Sequence, residues 1–259
     1  MIDRAIAGLM LAGALAAVSR RRRTLSAGGA VAAVAVGIAA TVAGWGWAVL
    51  VVAFFLASTA LSRYRRAARE ARVGAIVEKG DERDTAQVLA NGGVFAVAAV
   101  ASTVTGDPNW TAMALGALAA ATADTWATEI GTLAGRPPRS IISLQVVEPG
   151  TSGGVTVPGT LASAAGATFV AAAALATGVA VDMTPVVVGG LAGSLADSVA
   201  GATVQERRWC DGCSRFTERL THPCGAATRV TSGIPGLRND LVNLVCTLVG
   251  GGVAVLAAR

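Results

Sequence analysis

Long apolar stretches separated by shorter polar connections dominate the chain. A helix needs about 20 apolar residues to cross the hydrocarbon core of a bilayer, with about 17 to 25 workable. Most of the stretches reach this length, although 28–43 is short and 155–180 is long enough to tilt or to contain a broken helix. The pattern predicts an all-α, polytopic membrane helical bundle of about eight transmembrane helices, at 2–18, 28–43, 45–62, 88–105, 109–130, 155–180, 184–204 and 238–257.

The composition supports a membrane protein. Hydrophobic residues make up 53% of the chain, and 32 glycines add to this apolar share. Charged residues make up only 14%, against about 25% in soluble globular chains. Such a composition excludes a soluble domain, and it also excludes a disordered chain, which would be rich in charge. We therefore expect residues 1–259 to form a single integral membrane domain.

The basic residues alternate between the connections. Of the 21 lysines and arginines, 19 lie in the first, third, fifth and seventh connections between the predicted spans, and the second, fourth and sixth contain none. By the positive-inside rule, the odd-numbered connections face the cytoplasm and both termini face outward. The net charge of +5 then reflects topology and attraction to anionic membrane lipids, and nucleic acid is not an expected partner. The basic cluster 20–23 follows the first apolar run, whereas in a signal peptide it would precede that run.

Carboxylates occur near the cytoplasmic ends of three predicted spans, at Asp124, Glu129, Asp197 and Asp240. Ionisable groups at membrane depth are costly and usually line a site or a cavity, although any single one could simply be solvated at its helix end. Asp124 and Glu129 are five residues apart, about 140° around a helix. They can therefore serve one site only from a wide polar cleft or from an unwound helix.

These carboxylates predict a magnesium–phosphate site facing the cytoplasm. Magnesium prefers oxygen ligands and typically takes one or two carboxylates together with phosphate oxygens. We expect Asp124 and Asp197 to hold Mg²⁺, and we expect the nearby polar side chains to bind nucleotide or phosphate, namely Ser198, Asn239 and Asn243. Gly189, Gly193, Asp197 and Gly201 form one helical stripe, which either brings a neighbouring backbone close to the carboxylate or serves helix packing alone.

Two further segments are candidates for phosphate binding. Thr151, Ser152, Gly153 and Gly154 belong to a glycine-rich loop that leads into a span, and backbone N–H groups at such a helix start can cradle anions. Arg83 and Asn91 lie at the start of another span. Arg83 is either a phosphate clamp or an ordinary positive-inside charge. The chain has no GxxxxGK[ST] motif, which excludes a P-loop nucleotidase.

A cysteine- and histidine-containing loop, 205–236, lies in the seventh connection. Cys210, Cys213, His222 and Cys224 provide three thiols and the only histidine of the chain. This set fits a tetrahedral structural zinc site. A CxxC redox pair or a disulfide is the alternative, which the reducing cytoplasm disfavours. The fourth cysteine, Cys246, lies alone in the last span and is expected to be a small core residue.

The ordered motifs resemble those of a known integral-membrane family. The segments are Gln87-Val88-Leu89-Ala90-Asn91-Gly92-Gly93, Ala123-Asp124-Thr125 with Glu129-Ile130-Gly131, Gly150-Thr151-Ser152-Gly153-Gly154-Val155, Gly193-Ser194 with Asp197-Ser198 and Gly201, and Asn239-Asp240 with Asn243. They are similar to the successive motifs of the family that contains plant phytyl-phosphate kinase and human transmembrane protein 19, long classed as a domain of unknown function. The similarity extends from about residue 78 to residue 245, whereas residues 1–75 contain no distinguishing motif.

The resemblance implies a kinase that acts on a lipid monophosphate. The expected reaction converts an isoprenoid monophosphate of phytyl or geranylgeranyl type and a nucleoside triphosphate, CTP or ATP, into the isoprenoid diphosphate. From this resemblance, together with the reasoning from charge and position above, we expect Asp124, Glu129, Asp197, Asp240 and Arg83 to be the catalytic residues. The expected partners are the nucleotide, the lipid phosphate and the membrane lipids, while homo-oligomerisation stays open. A CTP-dependent cytidylyltransferase and a secondary transporter are the alternatives.

Overall fold

The computed structural model describes residues 2–80, 82–180 and 182–259. This part of the chain forms eight long helices, one short helix and five short strands. The helices are α1 (Ile2–Arg21), α2 (Ala27–Ala43), α3 (Trp45–Arg63), α4 (Arg66–Val73), α5 (Thr85–Thr105), α6 (Pro108–Gly131), α7 (Val157–Ala176), α8 (Thr184–Thr203) and α9 (Asn239–Ala257). The strands are β1 (Arg139–Ser140), β2 (Gly154–Val155), β3 (Arg207–Cys210), β4 (Arg215–Thr217) and β5 (Arg229–Ser232).

The eight long helices correspond to the eight predicted apolar stretches. Six of them, namely α1, α3, α5, α7, α8 and α9, have the length and hydropathy of a membrane span, and α2 is apolar but has 17 residues. The remaining long helix, α6, ends in the polar segment that contains Asp124 and Glu129. The predicted polytopic helical membrane bundle is confirmed, with a span count of about eight. The 155–180 stretch contains one helix, α7, which ends at Ala176.

The five strands depart from the all-α prediction, and the short helix α4 is additional to the eight predicted helices. Strands β1 and β2 pair antiparallel next to the glycine loop, and the cysteine-containing connection folds into an antiparallel sheet in the order β4-β3-β5. Strands of two to four residues are too short to show an alternating pattern in the sequence. Helix α4 lies in the third connection, for which the sequence predicted a basic charge but no helix.

Local signals explain where several helices begin. Asp84 and Gln87 form a capping box at the start of α5, which satisfies backbone N–H groups that have no partner within the helix. Asp107 caps α6 ahead of Pro108, and Thr156 caps α7. Between α2 and α3 the chain turns at Gly44, where φ is +151°, a conformation that side chains other than glycine rarely adopt.

Helix α6 occupies the centre of the bundle. Its segment 114–123 is buried throughout and consists of alanine, leucine, glycine and threonine. The small residues let α8 and α9 approach closely: a Cβ on Gly193 would lie 2.4 Å from the Cβ of Ala120 and 2.6 Å from the carbonyl oxygen of Cys246. The glycine stripe of α8 therefore packs helices against one another, and it also brings Asp197 toward α6.

The four basic connections meet at one end of the bundle. Arg20 in α1 pairs with Glu82 (3.1 Å), and Arg238 pairs with Glu78 (3.0 Å). The Arg207 guanidinium donates to the Ser152 carbonyl oxygen (3.2 Å). This shared end agrees with the charge alternation of the sequence, and its assignment to the cytoplasm stays a prediction.

Candidate functional site

A polar cavity of about 550 Å³ opens at the end where the basic connections meet. We refer to it as the polar cavity. Residues from α3 through α9 and from the glycine loop line it. Of the residues predicted to be catalytic or to bind phosphate, all but Asp240 are among the lining residues: Arg83, Asn91, Asp124, Glu129, Thr151, Ser152, Gly153, Gly154, Asp197, Ser198, Asn239 and Asn243.

Two carboxylates from different helices meet in the polar cavity. Asp124 on α6 and Asp197 on α8 lie in contact, close enough to share a hydrogen bond when one of them carries a proton. Among the described residues, the buried Asp197 Oδ2 has no hydrogen-bond partner. Two ionised carboxylates in contact repel each other unless they share a proton or bind a cation. This pair, with an oxygen still available, fits the oxygen ligation that Mg²⁺ prefers.

Glu129 lies in the same cavity but already has partners. Its carboxylate accepts a hydrogen bond from Ser62 Oγ (2.7 Å) and pairs with the Arg69 guanidinium. Both charged side chains are largely buried, Arg69 being 14% and Glu129 10% exposed. Helix α6 continues to Gly131, so Asp124 and Glu129 reach one cavity because the cleft is wide, and unwinding is not needed. Glu129 orders Arg69 and Ser62 at the wall of the cavity.

Asp240 was expected in the catalytic site, but it is not among the residues that line the polar cavity. Its Oδ2 lies 2.5 Å from Lys79 Nζ, and Lys79 Nζ also contacts Asp84 Oδ2 at 2.6 Å. Burial by itself would lower the pKa of Lys79, but the hydrogen bonds to Asp240 and Asp84 outweigh it and raise that pKa. Lys79 thus links the starts of α5 and α9. Asp240 lies beside the polar cavity as a partner of this lysine, whereas Asn239 and Asn243 reach the lining.

Arg83 is held in place by several contacts. Its guanidinium donates to Thr59 Oγ1 (2.9 Å) and Ser62 Oγ (3.4 Å) and lies 5.8 Å from the centre of the Phe55 ring. Its backbone pairs with residues 24 and 26. A charge that served topology alone would need none of these contacts, so the geometry favours a positioned guanidinium at the cavity.

The glycine loop packs against the end of α8. Gly153 has φ +77°, and a Cβ there would lie 2.5 Å from the Cβ of Ala202, so only glycine fits without displacement. The N–H groups of Thr151 and Gly154 already donate to the carbonyl oxygens of Glu148 and Thr151. The loop is therefore internally braced, and only part of its backbone N–H set remains for an anion.

Several cavity residues were not recognised from the sequence. Within the described part of the chain, seven basic side chains line the polar cavity, and only Arg83 among them was an expected site residue. They are Arg66, Arg69, Arg72, Lys79, Arg83, Arg136 and Arg219. The arginines of α4 were attributed to topology alone. A signal was present, because α4 repeats arginine at 66, 69 and 72, a spacing that puts these residues near one helix face.

Glu218 is an acidic residue of the polar cavity that the sequence did not predict. It follows β4 and accepts hydrogen bonds from Ser152 Oγ and Gln205 Nε2 (3.0 Å). Burial raises the pKa of Glu218, although the Ser152 hydroxyl partly opposes this. Its carboxylate is close enough to interact electrostatically with Asp197. Its connection also contains Glu206 and Asp211, so no local signal distinguished Glu218 from them.

The predicted zinc ligands come together outside the polar cavity. One ligand atom from each of Cys210, Cys213, His222 and Cys224 lies within 4.8 Å of all the others. The Sγ atoms of Cys210 and Cys224 are 3.6 Å apart, and all three thiols are free of disulfides. The backbone N–H of Ala226 and the His222 ring lower the pKa of Cys224 to about 6. Cys246 is buried in α9, as expected for a core residue.

Comparisons with known proteins agree with the motif resemblance. The family model described as integral membrane protein DUF92 matches residues 10–251. Protein PGR of Arabidopsis thaliana is 31% identical over 276 residues, which cover 95% of this chain and 93% of the plant protein. Uncharacterized membrane protein MJ0933 of Methanocaldococcus jannaschii is 32% identical over 220 residues, 82% of this chain and 76% of the archaeal protein. No solved structure matches the chain.

Proposed function

The chain belongs to the integral membrane protein DUF92 family, and from this premise we propose that it is a lipid-phosphate kinase. The reaction transfers the γ-phosphoryl group of CTP or ATP to an isoprenoid monophosphate of phytyl or geranylgeranyl type. The products are the isoprenoid diphosphate and a nucleoside diphosphate. The observation that best supports this proposal is the contact between Asp124 and Asp197 in a cavity lined by seven basic side chains.

The charges of the polar cavity suit two phosphorylated substrates. A nucleoside triphosphate and a lipid monophosphate together bring several negative charges into one site, and the arginines and Lys79 would neutralise them. Asp124 and Asp197 would hold Mg²⁺ with phosphate oxygens as its remaining ligands. The bound ion would neutralise charge on the transferred phosphoryl group.

The transfer needs positioning more than acid–base chemistry. An oxygen of the lipid phosphate forms a bond to the γ-phosphorus, the bond from that phosphorus to the β,γ-bridging oxygen breaks, and the nucleoside diphosphate leaves with the electron pair. A phosphate monoester is already largely ionised at neutral pH, since its second pKa is about 6. Arg83 and Arg69 are candidates for orienting the two phosphates, because each is fixed by neighbouring side chains.

The lining of the polar cavity also supports a substrate that enters from the bilayer. Thr160 and Ser163 of α7 and Leu191 and Leu195 of α8 belong to it, and Leu195 is 54% exposed on the bundle surface. A cavity wall that reaches the lipid-facing surface lets an isoprenoid tail stay in the membrane while its phosphate enters the site.

We further propose that the chain is a multi-pass cell-membrane protein whose polar cavity faces the cytoplasm, where nucleotide is available. The distribution of 19 of 21 basic residues among connections that meet at this end supports the orientation. A cysteine introduced at the exposed Ser232 should react with a membrane-impermeant maleimide only after cells are permeabilised. One introduced at Asp182 should react in intact cells. The reverse pattern would overturn the orientation.

Radiolabelled nucleotide tests the activity. Purified protein in lipid nanodiscs is incubated with geranylgeranyl or phytyl monophosphate, Mg²⁺, and CTP or ATP labelled at either the γ- or the α-phosphate. Label from the γ-phosphate in the lipid product supports the kinase. Label from the α-phosphate would instead identify a cytidylyltransferase, and absence of lipid label with both nucleotides would contradict both enzymes and direct attention to transport.

Matched variants distinguish a catalytic role of Asp124 and Asp197 from the general effect of removing a negative charge. Asp124→Asn and Asp197→Asn should each reduce γ-phosphoryl transfer at least about a hundredfold, on the order of 2.7 kcal/mol of transition-state stabilisation. Asp107 caps the far end of α6, and Asp182 accepts a hydrogen bond from the Thr184 N–H at the far end of α8, roles that the asparagine side-chain oxygen can also fill. Asp107→Asn and Asp182→Asn should therefore retain activity. Equal activity in all four variants would refute the role of the pair.

A further inference from the structure

We propose that Cys210, Cys213, His222 and Cys224 form a tetrahedral zinc centre in the connection between α8 and α9. This centre would be distinct from the magnesium site of the polar cavity and would organise the β4-β3-β5 sheet. It does not depend on the proposed kinase activity.

The distances among the four side chains suit one ion. For Zn–S bonds of about 2.3 Å, two sulfurs of a tetrahedron lie about 3.8 Å apart. The Sγ atoms of Cys210 and Cys224 are 3.6 Å apart, and His222 Nδ1 is 3.1 Å from Cys224 Sγ. A disulfide would bring two sulfurs to about 2.05 Å. Three thiolates and one imidazole are ligands that zinc accepts in closed structural sites.

Two separate turns deliver the ligands in pairs. Cys210 ends β3, and Cys213 lies in the turn before β4. His222 and Cys224 lie in a second turn, which the bridge between Thr221 and Ala227 closes. A ligand pair from each of two turns is the usual construction of a small structural zinc site.

The burial of two of the ligands, His222 and Cys210, is the second observation that points to an ion. His222 is 7% exposed and Cys210 is fully buried. His222 Nδ1 faces the Cys224 sulfur, and the other ring nitrogen, Nε2, has no hydrogen-bond partner among the residues that the structure describes. Phe216 and Val230, which would have to form an apolar core for this sheet, are 52% and 37% exposed. The connection thus buries two of its four polar ligands while Phe216 and Val230 remain exposed, as expected for a domain that a metal crosslinks.

The proposed centre would brace one wall of the polar cavity. Thr217 Oγ1 donates to the Ala75 carbonyl oxygen (2.9 Å), and the Glu218 N–H donates to the Ile76 carbonyl oxygen (2.8 Å). Glu218 also contacts Ser152 of the glycine loop. Because β4 pairs with β3, which ends at the ligand Cys210, an ion at the centre would fix the strand that positions Glu218. Only this consequence for the polar cavity rests on the proposed function.

Metal analysis of the purified full-length protein tests the proposal. Protein prepared in detergent without added metal or chelator should contain about one zinc per chain by mass spectrometry of the elements. Cys213→Ser and Cys224→Ser should each lower this below about a fifth. Cys246→Ala removes the one cysteine outside the cluster and should leave the zinc content unchanged. Cobalt-substituted protein should show the strong visible absorption of a tetrahedral site and thiolate-to-cobalt charge-transfer bands.

Three results would overturn the zinc centre. The first is metal-free protein in which only two of the four cysteines titrate as free thiols after denaturation, because this indicates a disulfide. Another is iron with its own visible absorption. The third is metal-free protein with four free thiols and an unchanged melting temperature in Cys213→Ser. The zinc content is measured independently of γ-phosphoryl transfer. A protein that binds zinc but transfers no phosphoryl group would contradict only the kinase proposal.

Discussion

Replacing Gly193 by alanine tests the packing that brings the two aspartates together. A Cβ at this position would lie 2.4 Å from the Cβ of Ala120 in α6 and 2.6 Å from the carbonyl oxygen of Cys246 in α9. The Cys246 oxygen and the Cα that fixes the Ala120 methyl are backbone atoms of packed helices. Neither neighbour can therefore move aside as a flexible side chain would, and α8 must shift by several tenths of an ångström or more.

The expected magnitude follows from two opposing effects. Overfilling a packed interior costs about 1–3 kcal/mol, while replacing glycine by alanine within a helix returns about 0.5–1 kcal/mol. We expect Gly193→Ala to lower the free energy of unfolding by about 1–2 kcal/mol. Because Gly193 precedes Asp197 by about one turn, the shift should also separate the carboxylates and reduce activity further than the loss of folded protein explains.

Reversible unfolding in mixed micelles, followed by tryptophan fluorescence, measures the stability. Gly252→Ala is the matched control, because a Cβ at Gly252 in α9 meets nothing within 4 Å. The control should gain stability through the helix preference for alanine, by about 0.5–1 kcal/mol. If Gly193→Ala is as stable as Gly252→Ala, the close approach of α8 to α6 and α9 is incorrect.

Three further substitutions or conditions give separate expectations. Arg83→Lys should lower turnover at least about tenfold, roughly 1.4 kcal/mol, because one ammonium cannot reproduce the planar contacts to Thr59 and Ser62; full activity in nanodiscs would return Arg83 to a topological role. Glu129→Gln should destabilise the protein by about 1–3 kcal/mol in the same unfolding assay, since Arg69 loses a largely buried counter-charge, and an unchanged midpoint would contradict this. The Gly236 N–H and Arg208 lower the pKa of Glu206, so its contribution is present above the ordinary pKa of 4.5 and is lost as the pH falls through the lowered value. Glu206→Gln should therefore reduce the loss of unfolding free energy between neutral and acidic pH. An unchanged pH dependence would contradict the stabilising role of the Glu206 carboxylate.

The sequence predicted the bundle well because its signals are local. Each long apolar stretch became one helix, and the basic connections collected at one end, since hydropathy and charge are properties of consecutive residues. Asp124 and Asp197 were nominated because a carboxylate in an apolar span is conspicuous by itself. Their mutual contact was not predictable, because it depends on how closely α8 packs against α6 at Gly193.

The residues that were missed depend on tertiary contacts. Glu218 reaches the polar cavity through a strand whose position is set by Ala75 and Ile76, which are about 140 residues away in the chain. Asp240 was nominated as catalytic, and only the structure reveals that Lys79 lies 2.5 Å from it. Side chains in long polar connections have no periodicity to indicate which of them turn inward.

Lys79 supplies the only side-chain amine in the chain, and this has a practical consequence. An amine-selective acylating reagent can modify the protein at one internal position only, at the wall of the polar cavity between Asp84 and Asp240. The reagent would remove the charge on which both carboxylates depend. Acylation of this amine should slow when a phosphorylated molecule fills the cavity. Mass spectrometry of the intact protein would measure the acylated fraction with and without that molecule. Because its two carboxylate partners raise the pKa of Lys79, acylation requires alkaline pH, at which the reaction can rank nucleotides and lipid phosphates before any turnover is detected.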